Sequence, residues 1–202
     1  MAIRSTQLSL FCSGLLALSG AVAHAQNCPS QGIRPGTYYI ASALGDNRCL
    51  DRRTQDSNSI QFYFCNGQSD EQFQLESGDL GSGCYRIRAV YNGTSDPHFL
   101  DPVAGGLPGL ALLIEADSGN LKSYYWRILK NANNTYSFIN ELNDESPNQQ
   151  CMNRRDPDDQ GRAQLLHCDF GDNRYQFWLA SSKAELDKLK NQKAKPNKAP
   201  KK

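Results

Sequence analysis

The chain has 202 residues and a formal net charge of +1 at pH 7, and this small value combines two opposite regions. Residues 26–182 hold 13 basic and 19 acidic residues, whereas residues 183–202 hold eight lysines against two acidic residues. No segment approaches the roughly 20 consecutive apolar residues that a membrane-spanning helix needs. The composition therefore argues against a membrane span and leaves room after residue 25 for one domain with its own core.

The first element is a predicted export signal over residues 1–25. It carries one positive charge at Arg4, then an apolar run over residues 8–18, and ends in small residues before Ala25. Ser and Gly break the run, which is also too short to cross a bilayer. We expect the mature protein to begin near Gln26 and to be secreted or periplasmic.

A repeated unit follows. Three short motifs share one pattern, in which the first and third begin with a cysteine and the second has lost it: Cys49-Leu50-Asp51, Phe99-Leu100-Asp101 and Cys151-Met152-Asn153. In the first and third copies a second cysteine lies 16 and 17 positions further on. Each copy also closes with an aromatic residue followed two places later by an aliphatic one, at Phe73, Trp126 and Phe177. Successive copies are 50 to 53 residues apart at both landmarks, which indicates three imperfect repeats.

Each repeat is predicted to consist of short strands. Residues 37–40, 84–88 and 136–139 open the copies with β-branched and aromatic residues, and later strands are predicted over residues 60–65, 111–115 and 163–168. No stretch from residue 36 to residue 180 has a helical period. Three units of about 50 residues are each too small to bury a core, but together they can close a barrel. We therefore predict an all-β domain over residues 26–182, a β-trefoil. A sandwich with Greek-key connections would not explain the threefold repetition.

The mature chain has six cysteines, an even number that is typical of disulfides in an exported protein. Six cysteines allow 15 connectivities, so the count alone cannot choose between them. The repeats favour pairing within the first and third copies, which leaves one bond to hold the N-terminal arm. The expected pairs are Cys49–Cys65, Cys151–Cys168 and Cys28–Cys84.

The first repeat resembles the ricin B-type lectin repeat. The matching features are Cys49-Leu50-Asp51, then the strand Ile60-Gln61-Phe62-Tyr63-Phe64-Cys65, then a closing aromatic at Phe73. The resemblance covers about residues 36–180, although no copy keeps a true Gln-x-Trp at its end. It implies a non-enzymatic, carbohydrate-binding protein, with galactose-type sugars favoured.

A sugar pocket of this type needs a carboxylate for two hydroxyls, an aromatic face for the ring and a polar group for orientation. By resemblance these positions in the first repeat are Asp51, Tyr63 and Asp70, with Gln61 as an additional partner. Asp70 stands where the family has Asn, so an amide donor is lost and two carboxylates share one pocket. This change favours a cation or a different sugar. The alternative, in which these are only turn, rim and loop residues, stays open.

The other two repeats depart further from the pattern. The second keeps Asp101 but has Ile114 at the stacking position and Ser123 at the orienting one. The third has changed all three positions, to Asn153, Leu166 and Arg174. We therefore expect one sugar pocket, in the first repeat.

Catalysis and metal binding find no support in the sequence. The mature chain has only His98 and His167, and neither lies in a nucleophile or metal-ligand motif. Residues 156–159 are acidic but lack the regular alternation of a calcium loop. We predict no enzyme activity, no cofactor and no metal.

Two further expectations concern partners. The fold could instead be a scaffold: a cell-binding or accessory subunit of a secreted toxin, or a trefoil-type protease inhibitor, with residues 103–113 as an interface to a protein partner. Residues 183–202 form a Lys-rich segment expected to be a mostly disordered tail, in which residues 184–190 could form a helical turn or two. Its charge would attract an anionic surface, or its own acidic domain.

Overall fold

The protein is represented by a computed structural model, which describes residues 32–53, 59–78, 83–91, 94–102, 111–115, 121–141, 149–154, 161 and 163–190. The predicted signal, Cys28, the acidic turn at residues 156–159 and the last twelve residues lie outside these ranges. So does most of the candidate interface at residues 103–113.

The described residues form twelve strands, four in each repeat. The first repeat has β1 (Gly36–Ser42), β2 (Arg48–Arg53), β3 (Ser59–Phe64) and β4 (Gln72–Ser77). The second has β5 (Cys84–Tyr91), β6 (Thr94–Pro102), β7 (Ala111–Glu115) and β8 (Tyr125–Lys130). The third has β9 (Tyr136–Asn140), β10 (Gln150–Arg154), β11 (Ala163–His167) and β12 (Phe177–Ala180). The six strand predictions are thus confirmed, with small differences at their ends.

The pairing of these strands repeats three times. In each repeat the first strand pairs with the fourth, and the two middle strands form a hairpin. The fourth strand of each repeat pairs with the first strand of the next, and β12 returns to β1. Six strands therefore close a barrel, and three hairpins extend from it. This is the β-trefoil that the repeats predict.

The repeated landmarks in the sequence form the shared core. The three closing aromatic residues are fully buried, and so are the three aliphatic residues of the opening motifs: Phe73, Trp126, Phe177, Leu50, Leu100 and Met152. The Trp126 Nε1–H also donates a 3.0 Å hydrogen bond to the carbonyl of Leu100. The sequence repeats because each copy contributes the same side chains to one interior.

Disulfides join cysteines within two of the repeats. Cys49 is bonded to Cys65, and Cys151 is bonded to Cys168, with 5.0 Å between the Cα atoms in each pair. Cys84 is also disulfide-bonded. Its expected partner, Cys28, lies outside the described residues, so that pairing stays a prediction.

The start of the Lys-rich segment is ordered, in agreement with the helical turn or two expected over residues 184–190. Lys183–Lys190 form a helix, α1. The Ser182 hydroxyl accepts a hydrogen bond from the Glu185 N–H, and the Glu185 carboxylate accepts one from the Ser181 N–H, so the helix begins with satisfied donors. Leu186 is fully buried and packs in one cluster with Cys49 and Cys65. No helix within the described ranges is long and apolar enough to cross a membrane.

Leu186→Ala is expected to release α1 from the barrel. Truncating a buried leucine costs about 2–5 kcal/mol, and Leu186 is the fully buried residue through which this short helix packs on the barrel. Tryptic cleavage after Lys183 and Lys188 should accelerate at least tenfold under native conditions. Leu189→Ala, at a partly buried position on the same helix, is the control and should have a smaller effect. Equal cleavage of Leu186→Ala and wild type would contradict this packing.

Candidate functional site

The candidate site is built on the hairpin of β2 and β3. Asp51 lies directly opposite Gln61 in this pairing, and Cys49 lies opposite Tyr63. Because side chains alternate along a strand, these residues share the face that points away from the core. Leu50, on the other face, is fully buried in the interior. The hairpin therefore places three of the four predicted site residues side by side.

Asp51 and Gln61 form one polar unit. The Gln61 Nε2 donates a 2.7 Å hydrogen bond to Asp51 Oδ1. The Asp51 side chain is only 5% exposed, so its orientation is fixed before any ligand arrives. Its second oxygen accepts no hydrogen bond from the described residues. That oxygen is the available acceptor of the site.

The charge on Asp51 is held in an unfavourable environment. Burial raises the pKa of this carboxyl from 3.8 to about 6; the Gln61 hydrogen bond opposes the rise, and the charges of Asp70 and Glu71 add to it. Strongly shifted groups are concentrated at functional sites, where charge is retained at a cost to stability. Asp51 is thus mostly ionised at neutral pH, although that pH is close to its pKa.

Tyr63 supplies an exposed aromatic surface. Its side chain is 51% exposed, in contrast to the fully buried aromatic residues of the core. Phe64, its neighbour, is 56% exposed, but it belongs to the opposite face of the strand and lies under the Arg48 guanidinium. Only Tyr63 therefore offers a ring on the Asp51 side of the hairpin.

Asp70 lies in the 3-10 turn Ser69–Glu71 that precedes β4. This turn packs against β2, and the negative charge of Asp70 acts on Asp51. Its Oδ1 is buried and accepts no hydrogen bond from the described residues. The turn that carries Asp70 thus lies against β2, the strand that carries Asp51.

Glu71 was not among the predicted site residues, yet its side chain is fully buried. One carboxylate oxygen accepts the Asn66 N–H at 2.8 Å and the other accepts the Gly67 N–H at 2.7 Å. Glu71 therefore fixes the chain between Cys65 and Asp70 and positions Asp70 indirectly. The only sequence signal was an acid following an Asn-Gly pair.

Helix α1 supports the same stretch from the other side. The Lys183 ammonium donates to the carbonyl of Asn66 at 2.7 Å, and the Lys190 ammonium donates to the carbonyl of Cys65 at 2.9 Å. Gly67 has a φ of +78°, and a Cβ there would come within 2.6 Å of Lys183 Nζ. The positive φ favours glycine at this position, while the lysine end is flexible and could move aside.

In the second repeat, the corresponding carboxylate is hydrogen-bonded within the chain. Asp101 is buried, and one of its oxygens accepts a 2.7 Å hydrogen bond from the Ser123 hydroxyl. Burial raises the pKa of Asp101, and the Ser123 bond opposes the rise. The side chain of Ile114 lies outside the described residues. Ser123, the residue at the orienting position of this repeat, is thus hydrogen-bonded directly to Asp101.

The third repeat presents amides instead of a carboxylate. Asn153 lies opposite Gln164 in the β10–β11 hairpin and is only 1% exposed. Its side-chain nitrogen and oxygen form no hydrogen bond with the described residues. Leu166, at the stacking position, is partly exposed, and Arg174 is bonded to Asp172 with 2.6 Å between Nε and Oδ2. The positions that correspond to Asp51 and Tyr63 thus hold neither a carboxylate nor an aromatic ring in this repeat.

The described residues include no group of three or more His, Cys, Asp and Glu placed to hold a metal ion. The chemistry that the first repeat can perform is recognition. A buried, oriented carboxylate can accept hydrogen bonds from neighbouring hydroxyls, and an exposed ring can receive the apolar face of a sugar.

No protein-family model matches this chain, and no curated protein matches it. Solved structures do match. A mosquitocidal holotoxin aligns over 75% of this chain and 17% of its own, with 18% identity and a TM-score of 0.59. The designed threefold-symmetric protein ThreeFoil aligns over 72% of this chain and 98% of its own, with 19% identity and a TM-score of 0.53. A Polyporus squamosus lectin, bound to a human-type influenza-binding epitope, aligns over 73% of this chain and 49% of its own, with 14% identity and a TM-score of 0.56.

At these identities the likeness establishes the fold alone. The chain is a β-trefoil domain, and its structural neighbours include a lectin and part of a toxin. It spans less than two thirds of the length of both.

Proposed function

We propose that the chain is an exported, non-enzymatic lectin with one sugar pocket, formed by Asp51, Gln61, Tyr63 and Asp70 in the first repeat. The observation that carries the proposal is the Asp51–Gln61 pair: a buried carboxylate, oriented by an amide, next to an exposed tyrosine ring. Burying an ionised group that no cation balances is costly. A ligand that donates hydrogen bonds to Asp51 would stabilise this charge, which would explain why a carboxylate is kept at this buried position.

The ligand class follows from the same residues. Asp51 can accept hydrogen bonds from two neighbouring hydroxyls, and Tyr63 can stack on the apolar side of a sugar ring. The resemblance to ricin B-type repeats favours a galactose-type sugar. The disulfides support an oxidising location, secreted or periplasmic. A single pocket of this size is expected to bind weakly, with avidity from oligomers or a partner adding strength.

Tyr63→Ala is expected to weaken sugar binding at least tenfold with little change in stability. Loss of an aromatic stacking surface costs on the order of 1–2 kcal/mol in binding, while truncation of a half-exposed side chain leaves the core intact. Isothermal titration with galactose and with galactose-terminated glycans would measure the change.

Phe170→Ala is the matched control, because it removes a 44% exposed aromatic ring from the third repeat rather than from the β2–β3 hairpin. Its sugar affinity should equal that of wild type. No binding of any sugar by wild type, or equal losses in the two variants, would refute the pocket.

A second candidate is a cell-binding or accessory subunit of a toxin. The observation that favours it is the structural match to one part of a mosquitocidal holotoxin. In that case the protein would be isolated together with a protein partner, and Asp51 or Tyr63 variants would leave the complex intact. The two candidates are compatible if the subunit's task is to bind a cell-surface sugar.

A further inference from the structure

The sugar pocket proposed above is acidic. Asp51 and Asp70 both contribute to it, and Glu71 lies behind them in the same turn. The hydrogen-bond donors of the chain are distributed unevenly among these three carboxylates. Glu71 receives two backbone N–H groups and Asp51 receives one amide N–H. Asp70 Oδ1 is buried and receives none from the described residues.

The nearby cations are engaged elsewhere. Lys183 and Lys190 donate to the carbonyls of Asn66 and Cys65, and Lys190 also pairs with Asp187 at 3.1 Å. Within the described part of the chain, no Lys, Arg or His forms an ion pair with Asp51 or Asp70. Among the described residues, the carboxylates of Asp51 and Asp70 thus have no ion-pair partner, and a cationic ligand would supply one.

We propose that this pocket selects sugars that carry a protonated amine over the same sugars with a hydroxyl or N-acetyl group at that carbon. The inference rests on the sugar pocket proposed above and names its ligand class. The specificity-determining residue is Asp70, which replaces an amide donor with a charged acceptor.

An ammonium group fits these residues for three reasons. It has three N–H donors, enough to serve the carboxylates of Asp51 and Asp70 together. Its charge offsets the repulsion between the two carboxylates. The exposed face of Tyr63 attracts a cation as well as an apolar ring. A hydroxyl supplies one donor without charge, and an N-acetyl group supplies one donor with added bulk.

The test compares affinities within matched sets. Galactose derivatives with an amine at carbon 2, 3 or 6 are titrated at pH 7 into the full chain, each beside its hydroxyl and N-acetyl counterparts. At least one amine is expected to bind tenfold or more tightly than both counterparts. That preference should shrink as NaCl rises from 50 to 500 mM, because salt screens the attraction.

Asp70→Asn is expected to reduce the amine-to-hydroxyl affinity ratio to near one, since it removes the charge and restores an amide. Glu76→Gln is the control. It removes a negative charge from the same repeat, at a carboxylate that pairs with Arg86 and Arg88, and it should keep the wild-type ratio.

The possible outcomes separate this inference from the proposed function. Binding of galactose with no amine preference would overturn the inference and leave the lectin pocket standing. A preference that survives Asp70→Asn, or that disappears equally in Glu76→Gln, would also overturn it. Failure of every sugar to bind would overturn the proposed function and the inference together.

Discussion

Asp51→Asn is expected to abolish sugar binding and, at neutral pH, to make the fold more stable. Asparagine keeps the shape and can still accept the Gln61 hydrogen bond, but it removes the buried charge. A ligand that needs a carboxylate to receive two hydroxyl donors loses most of its affinity, at least a hundredfold. The same change removes the cost of keeping that carboxylate ionised in the native state.

The stabilisation should depend on pH in a defined direction. The pKa of Asp51 is raised in the folded state to about 6, against an ordinary value of 3.8. The folded protein therefore holds the proton more tightly than the unfolded chain between about pH 4 and pH 6, and wild type loses stability as pH rises through that window. Above pH 6 the full cost is present, on the order of 1–3 kcal/mol. Below pH 4 it is absent.

Urea unfolding of wild type and Asp51→Asn at pH 7.5 and pH 4.0 measures this difference. Asp101→Asn is the matched control, because Asp101 is also buried with a raised pKa, in a repeat without an aromatic residue at the stacking position. It should gain stability at pH 7.5 without changing sugar affinity. Sugar binding by wild type should itself weaken below about pH 6. An Asp51→Asn protein that binds sugar like wild type, or that is equally stabilised at both pH values, would contradict the assignment.

Such a result would place Asp51 among residues that are retained for function against stability. Active and binding sites commonly keep groups that the fold would be more stable without. The comparison with Asp101 is informative, because a hydrogen bond from Ser123 serves that carboxylate within the chain. Asp51 accepts a comparable hydrogen bond from Gln61, so the two repeats differ at the stacking position, where the first has the exposed ring of Tyr63 and the second has Ile114.

Much of the fold could be predicted because its determinants repeat along the chain. Leu50, Leu100 and Met152 occupy one position in three copies, and each is fully buried. A motif found once could have been a coincidence, but the opening motif and the closing aromatic residue both recur at intervals of 50 to 53 residues. This double repetition indicated an interior with threefold symmetry. The hairpin face could be predicted as well, since alternation along β2 and β3 places Asp51 and Gln61 together once their pairing is known.

The parts that escaped prediction depend on contacts between distant segments. The composition of residues 183–202 indicated disorder apart from a helical turn or two over residues 184–190, and it did not predict that Leu186 would dock this helix in one cluster with Cys49 and Cys65. The average composition of these twenty residues does not reveal a contact that is made by a single leucine. Asn153 was read as a lost carboxylate, and its burial without hydrogen bonds to the described residues could not be inferred from its neighbours.

Glu71 is the clearest case, because its role depends on the path of the chain at Asn66 and Gly67. Glu71→Ala is expected to lower the free energy of unfolding by about 2–4 kcal/mol, since it removes two charge-assisted hydrogen bonds from a fully buried side chain. The residues between Cys65 and Asp70 would then no longer be held in one conformation. Sugar affinity should therefore fall at least tenfold in the fraction that stays folded, although Glu71 itself lies behind the pocket.

Glu185→Ala provides the comparison, because Glu185 also accepts a backbone N–H, from Ser181 at 2.8 Å, but is exposed. Water can replace that bond, so the expected loss is about 1 kcal/mol or less and sugar affinity should not change. Urea unfolding and titration with the same sugar on both variants distinguish the two carboxylates. If Glu71→Ala lost stability but bound sugar normally, Asp70 would not depend on Glu71 for its position. The turn would then be part of the fold without being part of the site.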